Sequence, residues 1–168
     1  MRVLGIDPGL ATVGYAVVEA TAAGYRLAEA GVITTPPQLG MPERLQHIYE
    51  ETIALIKQYA PESLAVEKLF FKQNVTTGIQ VAQARGVVLL ASCGLPLYEY
   101  TPMEVKRRVA GSGKAQKIHI QAMVQRLLGL SAPPRPDDAA DAVALALCCL
   151  LQVRTVVGRL QDAARGAQ

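Results

Sequence analysis

Residues 3–19 read VLGIDPGLATVGYAVVE. Two apolar runs, Val3–Ile6 and Val13–Val18, flank Asp7-Pro8-Gly9, a sequence that turns a chain sharply. Short runs of this kind joined by a tight turn predict neighbouring antiparallel strands. A third run, YRLAEAGVIT at 25–34, follows Ala23-Gly24 and completes a three-stranded meander. The residue that does not fit is Asp7, a carboxylate at the C-terminal end of a strand that otherwise reads as buried. Taken alone it reads equally as a turn residue, because Asp before Pro-Gly suits a tight turn.

Beyond "TPPQLGMP" the apolar period changes. Leu45, Ile48, Tyr49, Ile53, Ile56 and Tyr59 recur at helical spacing over 42–59, and Pro61 ends that helix. SLAVEKLF at 63–70 reads as a fourth strand, parallel to the first because a helix precedes it. A long helix is predicted over 74–92 with Asn74 as its N-cap, and LPLYEYTP supplies a fifth strand. Two shorter helices follow at 103–109 and 115–128, and a last one runs from Asp137 or Asp138 to about Val153. The expected fold is α/β: a five-stranded mixed sheet, three antiparallel strands followed by parallel ones, flanked by helices. One domain over 1–153 and a polar, mobile tail over 154–168 are expected.

Apolar residues make up 51% of the 168-residue chain and charged ones 18%, a composition able to bury a core. The net charge of +3 permits a nucleic-acid partner without demanding one. Cys93, Cys148 and Cys149 form no C-x-x-C, which argues against a disulfide framework or zinc site and suits a reducing cytoplasm. His47 and His119 sit far apart in helical patterns and read as surface or packing residues. No signal peptide is visible, and AVALALCCLL after Asp141 is shorter than the roughly 18 residues of a membrane span. It reads as a core helix.

Three further acids join Asp7. Glu67 ends the apolar run Leu64-Ala65-Val66. If the first and fourth strands are parallel neighbours, both acids emerge at the sheet edge where α/β folds bind ligands. Paired to Lys68, Glu67 would be only a rim residue. Asp138 and Asp141 share one face of the last helix, at i and i+3. Capping explains an acid at 137 or 138, but explains Asp141 poorly, since its face continues through Ala142, Leu145 and Cys149. Together these are four acids with no comparable set of basic partners beside them. Clustered carboxylates repel unless cations neutralise them, and oxygen-only ligands favour Mg2+ or Mn2+. Two such ions would activate an attacking water and stabilise the leaving 3′ oxygen in phosphodiester hydrolysis.

GIDPGLATVGYAVV, AVEKLFFKQN, AQARGVVL, YEYTPMEVKRRVAGSGKAQK and DDAADAVALA resemble, in order and spacing, the RuvC family of Holliday junction resolvases. The resemblance spans about residues 2–150. It implies a ribonuclease H-like fold and a homodimeric, cytoplasmic endonuclease that nicks opposite strands of a four-way DNA junction symmetrically. It implies Mg2+ as cofactor, two ions per active site, with Mn2+ able to substitute, and the RuvA–RuvB branch-migration complex as a partner. By position, Asp7, Glu67, Asp138 and Asp141 fall on the family's acidic tetrad, and Phe70 on an aromatic tied to base opening. Lys106 and Lys117 fall on basic positions implicated in DNA binding and catalysis, and the helix from Asn74 on the one at the dimer interface. The chain departs from the pattern at Asp137, an extra acid; the D-A-A-D frame selects Asp138 and leaves Asp137 as a cap, the reverse assignment staying open.

DNA contact is expected at Phe70, Phe71, Lys72, Lys106, Arg107, Lys114 and Lys117. Lys106, Arg107, Arg108, Lys114, Lys117 and Arg126 form a basic stretch with Glu104 as its one acid; a solvated helical face is the plain alternative. Such groups would bind phosphates in a salt-dependent way without reading sequence. Phe70 and Phe71, the only phenylalanines, could stack on an unpaired base for about 1–3 kcal/mol, or pack in the core. GSGK at 111–114 is not a phosphate-binding P-loop: Arg108 stands where its first glycine is needed, and Ala115 where Ser or Thr would follow Lys114. Two other readings stay open. One is a non-catalytic junction-binding protein of the same fold. The other is an actin-like phosphate- or ATP-binding protein, which shares the Gly-Ile-Asp-x-Gly opening but needs a second domain.

Overall fold

The computed structural model describes residues 1–69 and 75–165. Strands β1 (Arg2–Asp7), β2 (Thr12–Thr21) and β3 (Gly24–Thr34) lead to helix α1 (Met41–Tyr59). Strand β4 (Ser63–Glu67), helix α2 (Val75–Ala91) and strand β5 (Leu97–Tyr100) follow. Helices α3 (Pro102–Ala110), α4 (Lys117–Leu128) and α5 (Asp137–Arg165) complete the chain. The sheet order is β3-β2-β1-β4-β5. β1 pairs antiparallel with β2 and parallel with β4, and β4 pairs parallel with β5. This is the mixed five-stranded sheet that the turn and helix signals predict.

Alternation along the strands sends side chains to two separate cores. Leu4, Ile6, Val13, Val17, Leu64 and Val66 pack against α1 and α2, through Ile48, Leu55, Ala84 and Val88. Val3, Ala16, Val18 and Ala65 face the other way, against α3, α4 and the buried face of α5. A period of two fixes which face each strand's last residue takes. Ile6 and Val66 point to the α1/α2 side, so Asp7 and Glu67 point to the α5 side.

Helix α5 lies against the sheet with no side-chain layer between them at two glycines. A Cβ on Gly5 would collide with the Ala142 carbonyl oxygen and stand 3.0 Å from the Ala146 Cβ. A Cβ on Gly14 would collide with the Asp138 carbonyl oxygen. Positions 138, 142 and 146 recur every fourth residue, and Ala142 and Ala146 are small, so the helix settles directly on the backbone of β1 and β2.

Two sequence expectations need correction. Helix α5 continues to Arg165, twelve residues past its expected end at Val153, because the apolar stripe through Leu150 and Leu151 carries the helix onward into a polar segment that has no Pro before the C-terminus. Asp137–Val157 is also long and apolar enough to cross a membrane by composition, more than the run after Asp141 suggested, but its buried face packs across the sheet. The Asn74 cap lies outside the described residues.

Gly5→Ala should lower the free energy of unfolding by about 3 kcal/mol, the upper end for an overpacked site, because the added carbon meets backbone that cannot rotate away. Urea denaturation followed by circular dichroism measures this.

Candidate active site

Asp7 and Glu67 end adjacent parallel strands one step beyond the Ile6–Val66 pair. Asp7 is opposite Gly14 across the β1–β2 ladder, and the start of α5 rests on Gly14. Asp138 is therefore set over the strand end that carries Asp7, and Asp141 follows one turn along. Three elements distant in sequence deliver four acids to one edge of the sheet.

The charges confirm the proximity. The Asp7 carboxyl is pushed up to about 7, first by burial, then by the negative charges of Glu67, Asp141 and Asp138. The Glu67 carboxyl is also raised, by burial and then by Asp141, while its hydrogen bond with Asp7 acts in the opposite direction. Two carboxyl groups can share a hydrogen bond only when one is protonated. With its carboxyl raised to about 7, Asp7 is the partner that holds this proton below neutral pH.

The second pair of charges is different. Lys117 Nζ lies 3.1 Å from Asp141 and 3.3 Å from Asp137. Asp141 is about half exposed at 47% and lies at the mouth of the site, not on the buried stripe that the spacing of α5 suggested. Its basic partner was invisible in sequence because 24 residues separate the two and only the packing of α4 beside α5 joins them. Asp137 is the first residue of α5, and its carboxylate turns to Lys117 and to Arg135 at 3.6 Å rather than acting as the expected cap before the helix.

A cleft of about 260 Å³ opens over these groups. It is lined by Asp7, Glu67, Asp141, Lys106 and Lys117, together with the apolar groups of Pro102, Val105, Ile120, Ala144 and Leu145. Oxygen-only donors that raise one another's pKa fit a hard divalent cation, which would replace the proton that Asp7 holds. Among the described residues no three acids stand at metal-ligand spacing: Asp7 and Glu67 share a hydrogen bond, and Asp141 pairs with Lys117.

The expected DNA-binding residues divide. Lys106 and Lys117 line the cleft. Arg107 and Lys114 are exposed outside its lining, and Arg108 stands 6.0 Å from the centroid of the Tyr100 ring. Phe70, Phe71 and Lys72 lie outside the described residues.

Sequence reading missed Arg85. Its Nε donates to the Glu67 carbonyl oxygen at 3.3 Å, and its guanidinium pairs with Glu99, tying the ends of β4 and β5 together beside the site. The available signal was its isolation: it is the one charged residue in α2.

The family model described as crossover junction endodeoxyribonuclease RuvC matches residues 3–149. A crossover junction endodeoxyribonuclease RuvC of Syntrophomonas wolfei is 51% identical over 92% of this chain and 91% of that protein. One from Desulfitobacterium hafniense is 54% identical over 88% of this chain and 91% of that protein. Thermus thermophilus RuvC in complex with Holliday junction substrate superposes with a TM-score of 0.87 at 39% identity, covering 92% of this chain and 96% of that one.

The raised Asp7 pKa fixes a pH dependence. Folded Asp7 keeps its proton up to about pH 7, whereas the unfolded group loses it near 3.8, so the metal-free protein loses stability as pH rises between those values. Asp7→Asn should therefore stabilise the metal-free protein at pH 8 by on the order of 2 kcal/mol, about half of what the full shift converts to, because neighbouring carboxyls retitrate. The gain should vanish at pH 4, and thermal melts in EDTA at the two pH values measure it.

Proposed function

Because this chain belongs to the RuvC family of crossover junction endodeoxyribonucleases, with the ribonuclease H-like fold, we propose that it resolves four-way DNA junctions by paired symmetric nicks. The single observation that carries the reading for this chain is the meeting of Asp7 and Glu67 with the start of α5 at one sheet edge, inside a cleft flanked by lysines. This reading places its work in the cytoplasm, in recombination and repair.

In this reading Asp7, Glu67, Asp138 and Asp141 hold the metal. Asp138 is preferred over Asp137 because its charge acts on Asp7, whereas Asp137 is engaged with Lys117 and Arg135. These four acids would hold two Mg2+ ions per site, replaceable by Mn2+, whose chemistry when bound would be to activate a water and neutralise charge on the phosphate. The chain's own groups do the rest. Asp7 must give up its proton to a cation, so acid opposes metal binding at this site. Lys106 and Lys117 draw a phosphate into the cleft, and the wall of Val105, Ile120 and Leu145 limits water beside it. Arg107 and Lys114 contact the backbone farther out, Phe71 and Lys72 also bind the DNA, and Phe70 is assigned to the opened bases.

The active unit is a homodimer through α2. Ile79, Gln83, Gly86 and Leu90 are exposed at helical spacing, with Ile79 at 52% and Leu90 at 66%. A two-fold through this stripe supplies two sites for two nicks. The RuvA–RuvB complex is the expected source of the junction.

On a labelled mobile junction with Mg2+, the wild-type chain should give paired nicks, absent in EDTA. Asp7→Asn should bind the junction but cut at least roughly 10³-fold more slowly, as the loss of several kcal/mol of transition-state stabilisation requires. Binding without cutting in either Mg2+ or Mn2+ would leave only a junction-binding module. The paired substitution Ile79→Glu with Leu90→Glu should give a monomer by light scattering; an intact dimer would remove α2 from the interface.

A further inference from the structure

Asp137 is the acid that the proposed tetrad leaves over, and its carboxylate is not idle. Lys117 Nζ stands between Asp137 and Asp141, at 3.3 and 3.1 Å. The two acids are one helical turn apart on α5, so a single ammonium from α4 bridges them. Lys117, Asp137 and Asp141 are each 47% exposed or more, and exposed pairs of this kind add little to stability. Their effect is directional.

Asp141 has two claimants. A carboxylate that gives its charge to a divalent cation offers less to an ammonium, and the flexible four-carbon stem of a lysine does not hold its own direction. Asp137 has no such second duty, and Arg135 at 3.6 Å braces it from the other side. We propose that Asp137 is a positioning residue that keeps Lys117 at the mouth of the cleft when Asp141 turns to the metal, so that the ammonium stays aimed at the phosphate. The inference rests on the nuclease reading above.

Asp137→Ala should slow single-turnover cutting about 10-fold at saturating Mg2+ and junction, the scale of a misaimed group. Junction affinity measured in Ca2+ should stay within about twofold, since one exposed phosphate contact is little changed. Asp137→Glu should recover most of the rate. In the DNA-free protein, calorimetric titration with Mg2+ should show about threefold weaker binding in Asp137→Ala, because Lys117 then competes for Asp141 alone. Both effects should shrink to near nothing when Asp137→Ala is added to Lys117→Ala, as residues acting through one group are non-additive. An undiminished rate in Asp137→Ala, or losses of equal size in the Lys117→Ala background, would overturn the proposal. A wild-type chain that never cuts would instead defeat the nuclease reading, and the calorimetric cycle would still decide whether Asp137 governs Lys117.

Discussion

The direct seat of α5 on the backbone of β1 and β2 is the contact on which the site depends. Gly5 and Gly14 remove the side-chain layer that normally separates a helix from a sheet, and the small residues of α5 complete the approach. Depth and rotation of the helix are set together, because the colliding partners at both glycines are backbone oxygens. The first turn of α5 is thereby held at the strand ends that carry Asp7 and Glu67. A bulkier residue on either side would lift the acids apart while leaving every element intact.

That arrangement places negative charge where water is scarce. Burial and mutual repulsion act in the same direction on Asp7, so the apolar packing that stabilises the domain opposes the ionised form of its acids. The cost is localised at one sheet edge, and the remainder of the sheet is filled by aliphatic side chains on both faces. The fold thus opposes ionisation of Asp7, and a divalent cation held there would offset that opposition.

The cationic groups show a different economy of placement. Lys106 and Lys117 come from separate helices, α3 and α4, and meet only at the cleft. Arg108, in the same basic stretch, packs near Tyr100. A run of basic residues on short helices therefore divides by direction, with some groups facing the acids and others solvent or the core.

The sequence by itself determined the strand-turn-strand opening, the change to helical period at residue 42, the succession of five strands and the acids that end the first and fourth. These follow from local periodicity and turn chemistry, which are properties of neighbouring residues. It also singled out Asp138 and Asp141 as one helical face. Tertiary structure alone decided that Lys117 would pair with Asp141, that Asp137 would face Lys117, and that Arg85 would bind the end of β4. Each of these joins residues from different elements, and their distances depend on how helices pack on the sheet, a non-local quantity that no period or turn signal encodes. The two glycines mark the boundary between the kinds of information: Gly5 and Gly14 are plain in the sequence, but what they make room for is visible only once α5 lies across them.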